Sequence, residues 1–263
     1  MTVRSIPRGL APLLEVLELE QPRVVASAAI LEYARAAGVN WPINVISQRL
    51  RERGWLLPLR TRSVWEFAPA ARAGALGAGD PLIELRAVLA RDPAEPLAVA
   101  AESAAYLLGL ATRRPETECI AAPPGFRVPR SLDGYRVVRW TAASPVTHLE
   151  GLPVWAPATL LAFMASRPSA YRDWPNVGEW LSQAVSVVTP DGLVEELDGR
   201  SAGSWARAAY VLERGGSTES ALALAERAPR GPGPHYLGDR AITGRYDARY
   251  DVIDSTGLEV TSR

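Results

Sequence analysis

Two hydrophobic periods meet between residues 40 and 67. Ile43, Ile46 and Leu50 recur at helical spacing, whereas Trp55–Leu59 and Val64–Phe67 are bulky runs on either side of Arg60-Thr61-Arg62-Ser63. A change from period 3.6 to short extended runs around a polar four-residue break predicts a helix followed by a tight hairpin. Asn40 is placed to cap the helix, Pro42 lies in its first turn, where a missing N–H costs little, and Gly54 ends it. Pro58 cannot donate to a ladder, which puts its strand at a sheet edge. Upstream, Leu10, Leu13, Leu14 and Leu17 repeat at helical spacing, and a second helical pattern runs from Val25 to Ala37 before Gly38 stops it. Helix, helix, arginine-bearing helix and hairpin form, in that order, the plan of a winged helix-turn-helix.

At 263 residues the chain exceeds one typical domain. The stretch 68–81 is rich in Ala, Gly and Pro and reads as a boundary, giving a winged helix-turn-helix over 1–76 and a larger domain over 77–263. In the larger part, 82–89 and the Ala-rich stretch within 93–110 read as helices, while 118–121, 135–140 and 152–155 read as strands. Helical periodicity returns over 158–166, 177–185, 204–214 and 217–228. A loop at 228–234 and a strand near 250–253 follow. The expected class is α+β, an N-terminal winged helix-turn-helix followed by a larger mixed α/β C-terminal domain.

Net charge is zero, which argues against a polycation that coats nucleic acid, but the charge is unevenly distributed. Residues 1–75 hold ten arginines against six acidic groups, and every basic residue of the chain is Arg. On the third helix Asn44, Gln48 and Arg51 gather on a flank away from the apolar side. Asn and Gln pair with adenine and Arg with guanine in the major groove, so this trio has the chemistry of base discrimination. Ser47 borders the packed face as a base or phosphate contact. Arg49 and Arg53 point to the other side, where phosphate neutralisation is the natural task, and Arg60 and Arg62 occupy the hairpin tip. The competing interpretation is an ordinary solvated helical face. The joint helix-and-hairpin pattern favours contact with double-stranded DNA.

Signals for catalysis are weak. His148 and His235 lie far apart in sequence and have no ligand cluster near them; His235 follows a Gly-Pro loop and reads as a surface residue. Asp191, Glu195, Glu196 and Asp198 fit a solvated turn and helix end better than a metal site. No glycine run ends in the Lys-Ser/Thr of a phosphate loop, and the absence of lysine disfavours a magnesium nuclease. No catalytic cofactor is implied. Tyr171 and Trp174, flanked by Pro168 and Pro175, are candidates for partner contact, whereas Trp180 reads as core. Cys119 reads as a buried strand thiol, and no stretch has the length of a membrane span, so a soluble cytoplasmic protein is expected.

Residues 25–74, the run Glu102–Leu110, Arg114-Pro115-Glu116, Gly151–Val154 with Pro157–Leu161, and Glu179-Trp180-Leu181 together resemble the AbiEi-type antitoxins of type IV toxin-antitoxin systems. The resemblance implies an N-terminal winged helix that represses its own operon through inverted repeats. It also implies a C-terminal domain that counters a nucleotidyltransferase-like toxin, directly or functionally. On that basis Asn44, Gln48, Arg51, Arg60 and Arg62 serve repression, and residues from about 80 onward serve neutralisation. A winged-helix transcription factor with a ligand-sensing or oligomerising second domain is the alternative, and a DNA-modifying enzyme a lesser one.

Overall fold

A computed structural model describes residues 5–71 and 77–258 of the chain as a mixed α+β protein. The expected boundary at Leu76 lies outside the described residues. Two compact units are resolved: residues 1–96 with 127–134, and residues 97–126 with 135–263.

The smaller unit runs α1 (Ala11–Glu20), β1 (Val24–Ala26), α2 (Ser27–Ala36), α3 (Ile43–Glu52), β2 (Leu56–Pro58), β3 (Val64–Phe67) and α4 (Ile83–Arg91). Its three strands form an antiparallel sheet in the order β1-β3-β2, with Leu57 opposite Glu66 and Val25 opposite Trp65. Pro58 therefore occupies an edge strand, where its missing N–H breaks no ladder. The expected helix from Val25 begins instead at Ser27. Val24 and Val25 are β-branched and pair with the free side of β3, a contact with residues some forty positions away. Leu13, Leu14 and Leu17 of α1, Ile30 and Ala34 of α2, and Ile46 and Leu50 of α3 share one core with Leu56 and Phe67 of the sheet.

Two glycines set the spacing between these helices. Gly38 (φ +71) and Gly54 (φ +73) adopt the left-handed conformation that ends α2 and α3. The following amides fold back, Val39 N–H to Ala34 O at 2.7 Å and Trp55 N–H to Leu50 O at 2.8 Å. Helix α3 starts at Ile43 with Pro42 as its extended cap residue and no side-chain cap, so Asn40 does not play that part. The compact unit continues past the Ala/Gly/Pro stretch because α4 packs on β1 and β3, and the turn Arg130–Leu132 packs on α4.

The larger unit contains a five-stranded mixed sheet. In chain order its elements are β4 (Ala98–Val99), α5 (Ala101–Leu107), β5 (Cys119–Ala122), β6 (Arg136–Arg139), β7 (Thr147–Leu149) and β8 (Leu152–Val154). The strands lie in the order β6-β5-β4-β8-β7. Every residue of β5 is buried, consistent with a central strand of small side chains. Then come α6 (Pro157–Ser166), α7 (Trp174–Ser186), α8 (Pro190–Leu197), α9 (Ala202–Arg214) and α10 (Thr218–Arg227). Helix α6 is apolar on all sides and is enclosed by α5, α8 and α9, as a central helix must be. Trp140, Trp155 and Phe163 form an aromatic cluster with ring centroids 5.1–6.2 Å apart. The strands β9 (His235–Leu237), β10 (Arg245–Asp247) and β11 (Val252–Asp254) form a second sheet, β10-β11-β9.

Candidate nucleic-acid interface

Helix α3 buries Ile46 and Leu50 completely and turns Asn44, Gln48, Arg49 and Arg51 to solvent, with exposed Arg53 at its end. The polar flank is partly ordered by the helix itself. Gln48 Nε2 donates to Glu52 Oε1 at 2.8 Å, and Arg51 Nε donates to the Ser47 carbonyl at 3.4 Å. The Arg49 guanidinium lies over the Trp41 ring, 4.8 Å from its centroid, which steadies the cation while leaving its N–H groups available. Ser47 does not share this flank. It is 6% exposed and its hydroxyl donates to the Asn44 carbonyl at 3.3 Å, so burial and a local bond remove it from the candidate contacts.

The hairpin loop presents Arg60 and Arg62 to solvent on either side of Thr61, which is 2% exposed. Both ends of the loop are held. Arg60 N–H and Thr61 Oγ1 donate to Glu84 of α4, at 2.7 and 3.1 Å. Ser63, at φ +61, accepts on its carbonyl from the Ser27 amide at 2.9 Å and the Ser27 hydroxyl at 3.2 Å. Arg8, which no local pattern singled out, lines a shallow groove with Ile6, Arg49, Glu52 and Arg53. Only the tertiary return of the N-terminal segment to α3 brings this arginine to the basic side of the helix.

Residues 97–214 match the AbiEi antitoxin C-terminal domain family. That stretch of the chain is therefore similar to an AbiEi-type antitoxin domain. The fold resembles the crystal structure of the RV2827C protein from Mycobacterium tuberculosis, with a TM-score of 0.77 and 27% identity over 97% of this chain and 94% of that one. No curated protein matches the chain.

Within the larger unit several charged groups are internal. Glu102, near the start of α5, is buried. It pairs with Arg136 of β6 and accepts the Arg172 amide at 2.6 Å, while Arg136 also donates to Ala170 O at 2.7 Å. Tyr171 and Trp174 are 2% and 8% exposed and stack edge-on at 5.5 Å, with Trp174 Nε1 bonded to Pro168 O at 2.7 Å. They are core residues, not partner contacts, and burial, with the charge of Glu102 nearby, pushes the Tyr171 hydroxyl pKa up. Trp180 is core as expected.

Glu196 is also removed from the supposed solvated patch. It is 1% exposed, and its Oε1 accepts from Ala143 N–H (3.1 Å), Ser144 N–H (2.9 Å) and Thr159 Oγ1 (2.5 Å). His148 is exposed on β7, and His235 is half-buried in β9 instead of lying on a surface loop. Among the described residues no group of three or more His, Cys, Asp or Glu side chains is arranged to hold a metal ion, and no helix is long and apolar enough to cross a membrane. Cys119 is buried and desolvated, and its thiol pKa is pushed up to about 12, far from a reactive thiolate.

Proposed function

We propose that the smaller unit is a winged helix-turn-helix and that the chain is a DNA-binding antitoxin repressing its own operon. The observation that supports this most is the exposed flank of α3 carrying Asn44, Gln48 and Arg51 beside an anchored loop bearing Arg60 and Arg62. Arg49, Arg53 and Arg8 neutralise phosphates and bring the unit to the duplex, after which the α3 flank selects bases. The reading requires no catalytic step and places the protein in the cytoplasm, with DNA and a toxin as partners.

The two kinds of contact differ in their signatures. Arg51→Ala should weaken binding to the duplex immediately upstream of the chain's own reading frame by ~5- to 150-fold and relax base preference, the range of one bidentate contact. Arg62→Ala should weaken all duplexes evenly and reduce the salt dependence by about one phosphate. Gel-shift titrations of both variants at two salt concentrations decide the matter; binding indistinguishable from the parent for both would refute the assignment.

Neutralisation rests on the family match over residues 97–214. The toxin is proposed to be a nucleotidyltransferase-like protein encoded next to this chain. Co-expression of the full chain with that neighbour should restore growth that the neighbour alone arrests. Persistent arrest with soluble chain present would reject the pairing.

A further inference from the structure

Glu84 lies beyond the Ala/Gly/Pro stretch, in the first turn of α4, yet each of its carboxylate oxygens accepts from the hairpin loop: Oε1 from Arg60 N–H and Oε2 from Thr61 Oγ1. Its position in the first turn sets its negative charge at the positive end of the helix dipole. Helix α4 is itself firmly seated. Asp80 Oδ1 caps the Leu82 amide at 2.9 Å, and Asp80 Oδ2 accepts from Arg86 at 2.7 Å and from Arg23, which precedes β1, at 3.3 Å. Burial opposes ionisation of Asp80, but these bonds and the Arg86 charge together hold its pKa below the ordinary value. Leu85, Ala87 and Val88 are buried. The loop is thus tied to a rigid element on one side and to Ser27 on the other.

We infer that Glu84 is a positioning residue for DNA contact: by fixing the backbone at Arg60 and Thr61, it holds the Arg60 and Arg62 side chains in one arrangement before DNA arrives. This rests on the proposed DNA-binding function. A loop free at this point would have to be ordered during binding, and the lost backbone freedom of one residue corresponds to roughly 5- to 30-fold in affinity. Glu84→Gln retains one acceptor oxygen for Arg60 N–H, and the Thr61 hydroxyl can rotate to accept from the new amide, so this variant preserves the clamp.

The test is fluorescence anisotropy of the full chain on a labelled duplex spanning the sequence upstream of its own reading frame. Glu84→Ala should bind roughly 5- to 30-fold more weakly and Glu84→Gln close to the parent. Added to Arg60→Ala/Arg62→Ala, Glu84→Ala should cost nothing further, because the arginines through which it acts are gone. Parent-like binding by Glu84→Ala, or the same loss in the arginine-free background, overturns the inference and leaves DNA binding intact. If Arg60→Ala/Arg62→Ala has no effect while Arg51→Ala weakens binding, the loop is no contact and the inference falls with it. A parent chain that does not prefer this duplex over unrelated DNA overturns the proposed function itself.

Discussion

Alanine at Asn44, Gln48 and Arg51 together should abolish the preference of the chain for its upstream duplex, lowering that affinity by at least ~100-fold. Each bidentate base contact discriminates by roughly 1–3 kcal/mol, so even the lower bound for three sums to about 3 kcal/mol. Stability should be nearly unchanged, within about 0.5 kcal/mol, because all three side chains are exposed and Ile46 and Leu50 keep the helix seated. Binding to unrelated DNA should survive, since Arg8, Arg49, Arg53, Arg60 and Arg62 are untouched. Competition titrations with specific and random duplexes, alongside thermal unfolding, separate these effects. A triple variant that still prefers the upstream duplex would move recognition away from α3.

Replacing Glu196 with alanine should destabilise the larger unit by about 3–5 kcal/mol, because three donors lose one shared acceptor and each buried polar group left unsatisfied costs about 1–3 kcal/mol. The substitution leaves the amides of Ala143 and Ser144 and the Thr159 hydroxyl without their shared acceptor, with Thr159 fully buried. It also removes the negative charge that favours the protonated guanidinium of Arg200, which sits 3.6 Å from the Trp140 ring centroid. For a unit of this size the midpoint should fall by ~6–20 °C. Glu196→Gln keeps the acceptor oxygen and should cost only about 1–2 kcal/mol. Calorimetry on the two variants provides the check; an alanine variant that melts with the parent would show that the carboxylate contributes nothing net.

Much of the candidate interface was legible because it is local. The spacing of Ile43, Ile46 and Leu50 defines which side of a helix is apolar, and the opposite flank then necessarily carries Asn44, Gln48 and Arg51. Pro58 at an edge and Gly54 after the helix follow equally from the chemistry of single residues. Of the residues that carry the resemblance to AbiEi-type antitoxins, those from Glu102 to Leu181 lie within the span that matches that domain, and residues 25–74 lie outside it.

Other features depended on residues distant in sequence. Val24 and Val25 look like the start of a helix until β3 offers them an edge, and Ser47 looks like a border contact until the neighbouring core covers it. Tyr171, Trp174 and Glu196 have the composition of a surface segment, yet packing encloses all three. By itself the sequence determined the amphipathic helix, the hairpin and the unequal charge, because side-chain periodicity and turn chemistry act over a few residues. Only the tertiary structure decided that Arg8 joins the basic side of α3 and that Glu84 clamps the loop, because hydrogen bonds and burial between distant segments exist only once the chain has brought them together.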